Sequence, residues 1–300
     1  MNKTLIVIVT FNAMRWIERC LSSVQSSQVA ATAFVIDNGS NDGTQDYIKR
    51  HYPQVLFQQS EENLGFGRAN NIGLRYALDN DFDYVYLLNQ DAWIYPDTIG
   101  ELIKLHNKYP DYGILSPFQM NANGKIDRNF YSRIVSSDIF QSLYNDQYNN
   151  ELKEIYEVPS IMAAHWFMPI GTVKKIGGFS PSFPHYGEDD NYSDRTRYYK
   201  LKIGIVPQLK VIHDRAFREE TKDRIIYNGF TTSIYYLNNP FVPLYPSIFI
   251  AVRIALSNSI HYLTIRPLIF LIRIIFNIRD YRKNRMSSMN IKSAFLNNNK

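Results

Sequence analysis

Five consecutive apolar residues, Tyr84 to Leu88, run without the alternation of a half-exposed strand and stop abruptly at Asn89-Gln90-Asp91. A run this short fits a strand buried on both faces, as in parallel sheets whose crossover helices cover both sides. In open α/β sheets, ligands collect outside the carboxyl ends of the strands. The stretch YVYLLNQDAW therefore sets an acid, Asp91, where a buried strand opens into a crevice. Taken alone it reads more simply as a strand followed by a polar turn, and the neighbouring segments have to decide.

Those segments alternate. Leu5–Val9 is a second buried-strand run, and Trp16–Val24 an amphipathic helix. Phe34–Ile36 reads as a strand, Thr44–His51 as a helix stopped by Pro53, and Val55–Gln58 as a strand. Ala69–Leu78 reads as a helix, and Pro96–Lys108 as another with its proline in the first turn. Strand and helix in this order imply right-handed crossovers and a parallel sheet.

Two common nucleotide folds can be tested at once. A dinucleotide fold needs a glycine-rich turn after the first strand, where this chain has Thr10-Phe11-Asn12. Gly65-Phe66-Gly67 lacks the third glycine and the preceding long strand, and no loop ends in Gly-Lys-Ser/Thr. Instead the strand ends carry Thr10-Phe11-Asn12, then Asp37 to Thr44, then Glu62 to Gly73 with Arg68. Each could be a simple turn or cap. Together they place an aromatic, a carboxylate, an arginine and Asp91 on one rim.

The segments IVIVTFN, VIDNGSNDGT, ENLGFGRANNIG, LLNQDAW, GGFSPSFPHYGEDDNYSDR and VIHD stand in that order between about residue 4 and 214. They closely resemble glycosyltransferase family 2, inverting enzymes of the α/β GT-A fold with a Rossmann-like, mostly parallel nucleotide-diphospho-sugar transferase sheet. Within that family the chain is similar to bacterial rhamnosyl- and galactofuranosyltransferases of surface polysaccharide pathways. The resemblance implies that Thr10 and Phe11 line a base pocket, with Phe11 packed on the ring. It implies that Asp37 accepts from the imide of a UDP or dTDP donor and that Arg68 lies near base or diphosphate. Asn12, Asn38, Gly39, Asn63, Gly67, Asn89 and Gln90 complete that donor rim. Asp91 becomes the metal-binding acid of a DxD motif whose first position is Asn89 here, with Mn²⁺ or Mg²⁺ as cofactor.

In the second half, Val173–Ile176 is a helical turn ended by Gly177-Gly178, and Glu188-Asp189-Asp190 opens a helix to about Leu201. By resemblance Asp189 is the general base and Glu188 orients the acceptor, with Asp190 the alternative base. Three successive helical residues point about 100° apart, so only one faces the sugar. His213, at the end of strand Ile203–Ile212, is implied as a further metal ligand. His165 and His185 could border the acceptor site.

Charge is unevenly spread. Net charge is +5, but residues 241–300 hold nine Lys or Arg against one acid, while the first 240 hold 24 basic and 27 acidic. A basic tail on a near-neutral body suggests an anionic membrane surface. No RNA-binding motif, zinc spacing or repeat points to nucleic acid. In YLTIRPLIFLIRIIFNI, Arg266, Arg273 and Asn277 fall within about 40° on a helix, and Pro267 interrupts the run. A helix lying in the interface fits better than a spanning one, with packing on the body or a homodimer partner as the alternative. Residues 291–300 are expected to fray.

The single cysteine, Cys20, excludes a disulfide framework and suits a reducing compartment. The expected organisation is a catalytic domain over 1–225 and a helical extension over 226–300. Donor binding falls in about 1–115 and acceptor binding in about 116–225. The expected partners are a nucleotide diphospho-sugar and a glycan, lipid-linked, at the cytoplasmic membrane face. Two other classes stay open: a sugar-1-phosphate nucleotidylyltransferase, which would need a GxGxR loop after the first strand, and a nucleotide-sugar-binding protein without transferase activity.

Overall fold

A computed structural model describes residues 2–135, 139–215 and 221–296. The chain opens β1 (Thr4–Thr10), α1 (Ile17–Gln25), β2 (Ala31–Asp37), α2 (Thr44–His51) and β3 (Leu56–Gln59). It continues α3 (Phe66–Asp79), β4 (Tyr84–Asn89), β5 (Ala92–Trp93) and α4 (Thr98–Lys108). The opening run is indeed a strand covered on both sides. In β1, Leu5 and Val7 join one apolar cluster while Ile6 and Ile8 join the other, and Leu87 and Leu88 of β4 split the same way.

Then follow β6 (Tyr112–Met120), α5 (Arg128–Val135), α6 (Ile139–Tyr148), β7 (Tyr156–Glu157), β8 (His165–Pro169), α7 (Ile170–Ile176), α8 (Glu188–Tyr198) and β9 (Lys202–His213). The sheet order is β3-β2-β1-β4-β8-β6-β9-β5, with β7 on β9. The long registers, β1 on β2 and β4, β2 on β3 and β6 on β9, are parallel. Shorter antiparallel pairings insert β8 between β4 and β6 and hang β5 and β7 on β9.

The chain turns outward from β1 to β2 and β3 on one side, while β4 lies on the other. Their carboxyl ends thus make the kind of switch point where α/β sheets bind ligands. Val9 pairs with Asn89, so Thr10-Phe11-Asn12 and Asn89-Gln90-Asp91 leave the sheet side by side.

Several boundaries move for local reasons. Helix α3 begins at Phe66, three residues before the expected Ala69, because Gly65 takes φ +78° and turns the chain directly into the helix. Pro96 lies before the N-cap Asp97, not in the first turn, and its carbonyl accepts from the Gln28 amide.

The last four helices are α9 (Lys222–Asn238), α10 (Leu244–Tyr262), α11 (Arg266–Phe276) and α12 (Ile278–Asn290). Ile234 and Leu237 of α9, Ile274 of α11, Tyr281 of α12 and Phe183 form a third apolar cluster. The expected fraying of 291–300 is not what 291–296 does. Ala294 and Leu296 are buried, the Ala294 carbonyl accepts from the Gly178 amide at 2.8 Å, and the Leu296 carbonyl accepts from Arg75. Residues 297–300 lie outside the described residues.

Candidate active site

The donor rim is built around Asp37. Its carboxylate is fully buried and accepts from the Thr10 hydroxyl (2.8 Å), the Ser40 hydroxyl, the Gly39 and Ser40 amides and Gln45 Nε2 (2.7 Å). Gly39 supplies the positive φ that folds these amides back on the acid. Asn12, itself at φ +52°, receives the Asn41 amide on Oδ1 and donates its own amide to Ser40. Above this floor Phe11 presents a ring 45% exposed. Asn38 is buried, and its Oδ1 has no partner among the described residues.

Asp91 follows directly where β4 ends, and the two-residue ladder of β5 on β9 pairs Ala92 with His213. The Asp214 amide donates to the Asp91 carbonyl at 2.7 Å, which fixes the crossing. As a result Asp91 Oδ1 stands 3.4 Å from His213 Nε2. Burial pushes the Asp91 carboxyl up, but His213 and the nearby Arg215 outweigh it and hold it below its ordinary range. One carboxylate oxygen and one imidazole nitrogen, side by side, are donor types that Mn²⁺ or Mg²⁺ accepts. Among the described residues no third His, Cys, Asp or Glu joins them, so further ligands would come from a bound phosphate or water.

Gly187, at φ +90°, turns the chain into α8, and Glu188, Asp189 and Asp190 form its first turn. Asp190 is taken: Arg133 of α5 holds both carboxylate oxygens, at 2.5 and 2.8 Å. Asp189 is not so paired. Among the described residues its Oδ1 accepts only from the amide of Asp190, at 2.9 Å. Burial and the charge of Asp190 push its proton affinity up, and Arg133 offsets part of that. Glu188 is 5% exposed, its Oε2 has no partner among the described residues, and burial followed by the charge of Asp189 raises its pKa well above the usual range.

Glycines let the two halves meet. A Cβ on Gly67 would lie 3.0 Å from Phe179 and 3.8 Å from Glu188, and one on Gly65 would lie 2.7 Å from the Pro184 carbonyl. Asn71 of α3 pins the loop further, accepting from the Phe179 amide and donating to its carbonyl.

A family model described as glycosyl transferase family 2 matches residues 5–168. The chain belongs to glycosyltransferase family 2. Its curated relatives include the N-acetylglucosaminyl-diphospho-decaprenol L-rhamnosyltransferase of Mycobacterium tuberculosis, 24% identical over 70% of this chain and 76% of the relative. The low-salt glycan biosynthesis hexosyltransferase Agl10 of Haloferax volcanii is 25% identical over 70% of this chain and 66% of the relative. Among solved structures, S. aureus TarS 1-349 in complex with UDP superposes with TM-score 0.56 at 13% identity, covering 96% of this chain and 90% of that one. The mannosyltransferase PcManGT of Pyrobaculum calidifontis, in complex with GDP-Man and Mn²⁺, gives 0.57 at 14%, covering 97% and 87%. These structural likenesses show a GT-A fold.

For this family 2 chain, several expected contacts look different in three dimensions. Gln90, expected on the donor, instead clamps Phe11: its Oε1 accepts from the Phe11 amide at 2.7 Å and its Nε2 donates to the Phe11 carbonyl at 3.2 Å. Thr10 is wholly buried under Asp37 and presents no surface to a base. Asp37 could reach a base imide only by releasing one of its present donors. Arg68 is exposed on the first turn of α3, with Nε on the Leu64 carbonyl, and Asn63 caps the turn at Gly65. Among the described residues the Asn89 side chain makes no hydrogen bond, while its amide donates to the Ala164 carbonyl. His185 lies exposed against Tyr186 in the loop before α8. His165 does not border the acceptor: it is buried, with Nδ1 2.8 Å from the Tyr86 hydroxyl and Nε2 on the Ile212 carbonyl, and burial lowers its pKa to about 3.

Two arginines escaped the sequence reading. Arg215 lies 3.4 Å from His213 Nδ1 and 3.7 Å from Asp127, which also caps the Phe130 amide at the start of α5. Arg133, on the same helix, then reaches Asp190. The position of Arg215, two residues after His213 at a strand end, was the available signal. Nothing in the sequence joins Arg133 to Asp190 across 57 positions.

Proposed function

We propose that this chain is a divalent-metal-dependent, inverting transferase of a sugar from a UDP- or dTDP-linked donor to a hydroxyl of a lipid-linked glycan in surface polysaccharide assembly. The reading carries Asp189 as general base, and the observation behind it is the unequal treatment of three adjacent acids. Arg133 occupies Asp190 and Glu188 is sealed in, whereas Asp189 is partly exposed, has no side-chain partner among the described residues and has a raised proton affinity.

In the step itself, the acceptor hydroxyl oxygen forms its bond to the anomeric carbon from the face opposite the diphosphate. Its proton passes to Asp189 Oδ, and the bond from the anomeric carbon to the diphosphate oxygen breaks. Asp91 and His213 would hold Mn²⁺ or Mg²⁺, which supplies charge neutralisation for the departing nucleoside diphosphate. Arg215 adds a fixed positive charge at the same end. Phe11 packs on the base, held by Gln90, and Glu188, protonated near neutral pH, donates to a sugar hydroxyl.

Relatives support the acceptor class: the mycobacterial protein is named for a diphospho-decaprenol acceptor. A lipid-linked acceptor calls for work at the cytoplasmic membrane face. Among the described residues no helix is long and apolar enough to cross a membrane, which favours peripheral attachment by the extension over 226–300. The test is release of nucleoside diphosphate from a panel of UDP-, dTDP- and GDP-sugars with and without Mn²⁺. Release from none of them would leave a binding protein as the better reading. Pyrophosphate-dependent formation of a nucleotide sugar would favour the nucleotidylyltransferase.

A further inference from the structure

The last helices expose an apolar surface that the catalytic reading does not use. On α10, Tyr245, Phe249, Leu256 and Ile260 are all exposed, and their spacing of four, seven and four places them on one stripe. On α11 and its N-cap, Ile265, Ile269, Ile272 and Phe276 are spaced four, three and four, again on one stripe, and are likewise exposed. Leu263, in the left-handed region at the corner between them, is 90% exposed. The opposite sides of both helices are spent on α9. Phe270 stacks on Phe230 at 4.6 Å, Ile254 and Asn258 close on Gly229, and the seam leaves about 10 Å³ of void. The two outward stripes are therefore not the unfilled half of a core.

We infer that the α10–α11 corner is a docking surface for a bilayer rich in anionic phospholipid. Charge selects that occupant. Arg253 and Arg273 border the stripes at about 80° from their origins on the helical wheel, and Arg279, Arg282 and Lys283 are exposed on α12. From α10 to α12 the sequence holds a single acid, Asp280. A second copy meeting this face by two-fold symmetry would set arginines against arginines, whereas phosphodiester headgroups pair with them. Arg266, which the sequence alone sets beside Arg273, is instead paired with Asp223 and is not part of the headgroup contact.

The surface is joined to the acid helix. Phe183, five residues before Glu188, is buried with Ile234 and Leu237 of α9, Ile274 of α11 and Tyr281 of α12. What docking means for catalysis rests on the transferase reading above: a bilayer under α10 and α11 would fix the acceptor loop relative to a lipid-borne substrate. The docking itself is independent of it.

Flotation of the full chain with vesicles, in the absence of donor and acceptor, tests the surface alone. Wild-type protein is expected to float with vesicles containing about 30% phosphatidylglycerol and at least about tenfold less with phosphatidylcholine alone. Substituting Phe249→Ser, Ile260→Ser, Leu263→Ser and Ile272→Ser together is expected to cut flotation at least about tenfold, with the thermal midpoint unchanged because all four side chains are exposed. Wild-type protein that stays in the dense fraction overturns the inference, and so does a quadruple variant that floats as wild type. So would a wild-type dimer that the four substitutions dissociate while vesicle binding persists. None of these outcomes touches the transferase reading, which nucleoside diphosphate release decides separately.

Discussion

Asp91 Oδ1 and His213 Nε2 stand 3.4 Å apart although 122 positions separate them, because the ladder of Ala92 on His213 closes the distal edge of the sheet over the end of β4. That separation is wide of a good hydrogen bond. His213 helps to hold the Asp91 carboxyl below its ordinary range, yet at this separation the contact can give way to a third party.

Removing either partner should therefore act on metal rather than on folding. Asp91→Asn and His213→Asn are each expected to lower Mn²⁺-dependent transfer by about 100-fold or more. Isothermal titration of Mn²⁺ in the presence of donor should lose its heat in both. Chelation of wild-type protein should abolish turnover, and readdition of Mn²⁺ should restore it. Full activity in either variant would remove that residue from the metal site.

The three acids separate by their partners. Asp189→Asn is expected to reduce transfer by about 10²–10⁴-fold while donor binding persists. Asp190→Asn leaves Arg133 without its bidentate acceptor. It should cost about 1–3 kcal/mol in urea unfolding, with a smaller effect on transfer than Asp189→Asn. The reverse ranking of the two activities would make Asp190 the base.

Protonation gives a third handle. A base must be ionised, and burial with the charge of Asp190 pushes Asp189 up to about 6. Activity should fall as pH drops through about 6, not through the ordinary aspartate range near 4. Arg133→Gln removes a charge that favours ionised Asp189, so it should move this acid limb to higher pH. Stability runs the other way. Glu188 has its folded pKa raised, so the native state binds the extra proton and loses stability as pH rises through that folded value. Glu188→Gln should therefore raise the melting temperature at pH 9 by about 2–4 °C and change it little at pH 5. An equal shift at both pH values would mean Glu188 is not ionising in the fold.

The sequence carried the first half of the fold because buried parallel strands leave unbroken apolar runs. Leu5–Val9 and Tyr84–Leu88 needed no partner to be read. The insertion of β8 beside β4 was hidden, since HWFMP, antiparallel to β4 over its five residues, opens on a buried histidine that looks like a site residue in one dimension. Candidate positions were legible where a polar group ends a strand, as at Asp37, Asp91 and His213. Their partners were not, because Gln90 to Phe11, Arg133 to Asp190 and Arg215 to His213 are set by crossings of the chain. The terminal asparagines likewise suggested fraying and masked the contacts just before them.

Those contacts support a last prediction. Residues 291–296 run against the turn that leads to the acid helix: Ser293 donates to the Lys174 carbonyl, Gly178 donates to Ala294, and Phe295 lies under the Arg195 guanidinium at 5.1 Å. Arg195 is itself wholly buried and donates to the Ile176 and Gly178 carbonyls, so the strap and the arginine grip the same turn. Gly177 sits beneath, at φ +90°, where a Cβ would fall 2.1 Å from the Ala294 carbonyl. Deleting 291–300 removes the buried Leu296 side chain, worth about 2 kcal/mol, and several hydrogen bonds at about 1 kcal/mol each. The melting temperature should drop by about 8 °C. Gly177→Ala should also destabilise, through backbone strain and through the clash with the strap. Only the clash disappears when the strap is gone, so the two changes should be less than additive by about 1 kcal/mol or more in a double-mutant cycle. Strict additivity would show that 291–296 does not press on Gly177 in solution.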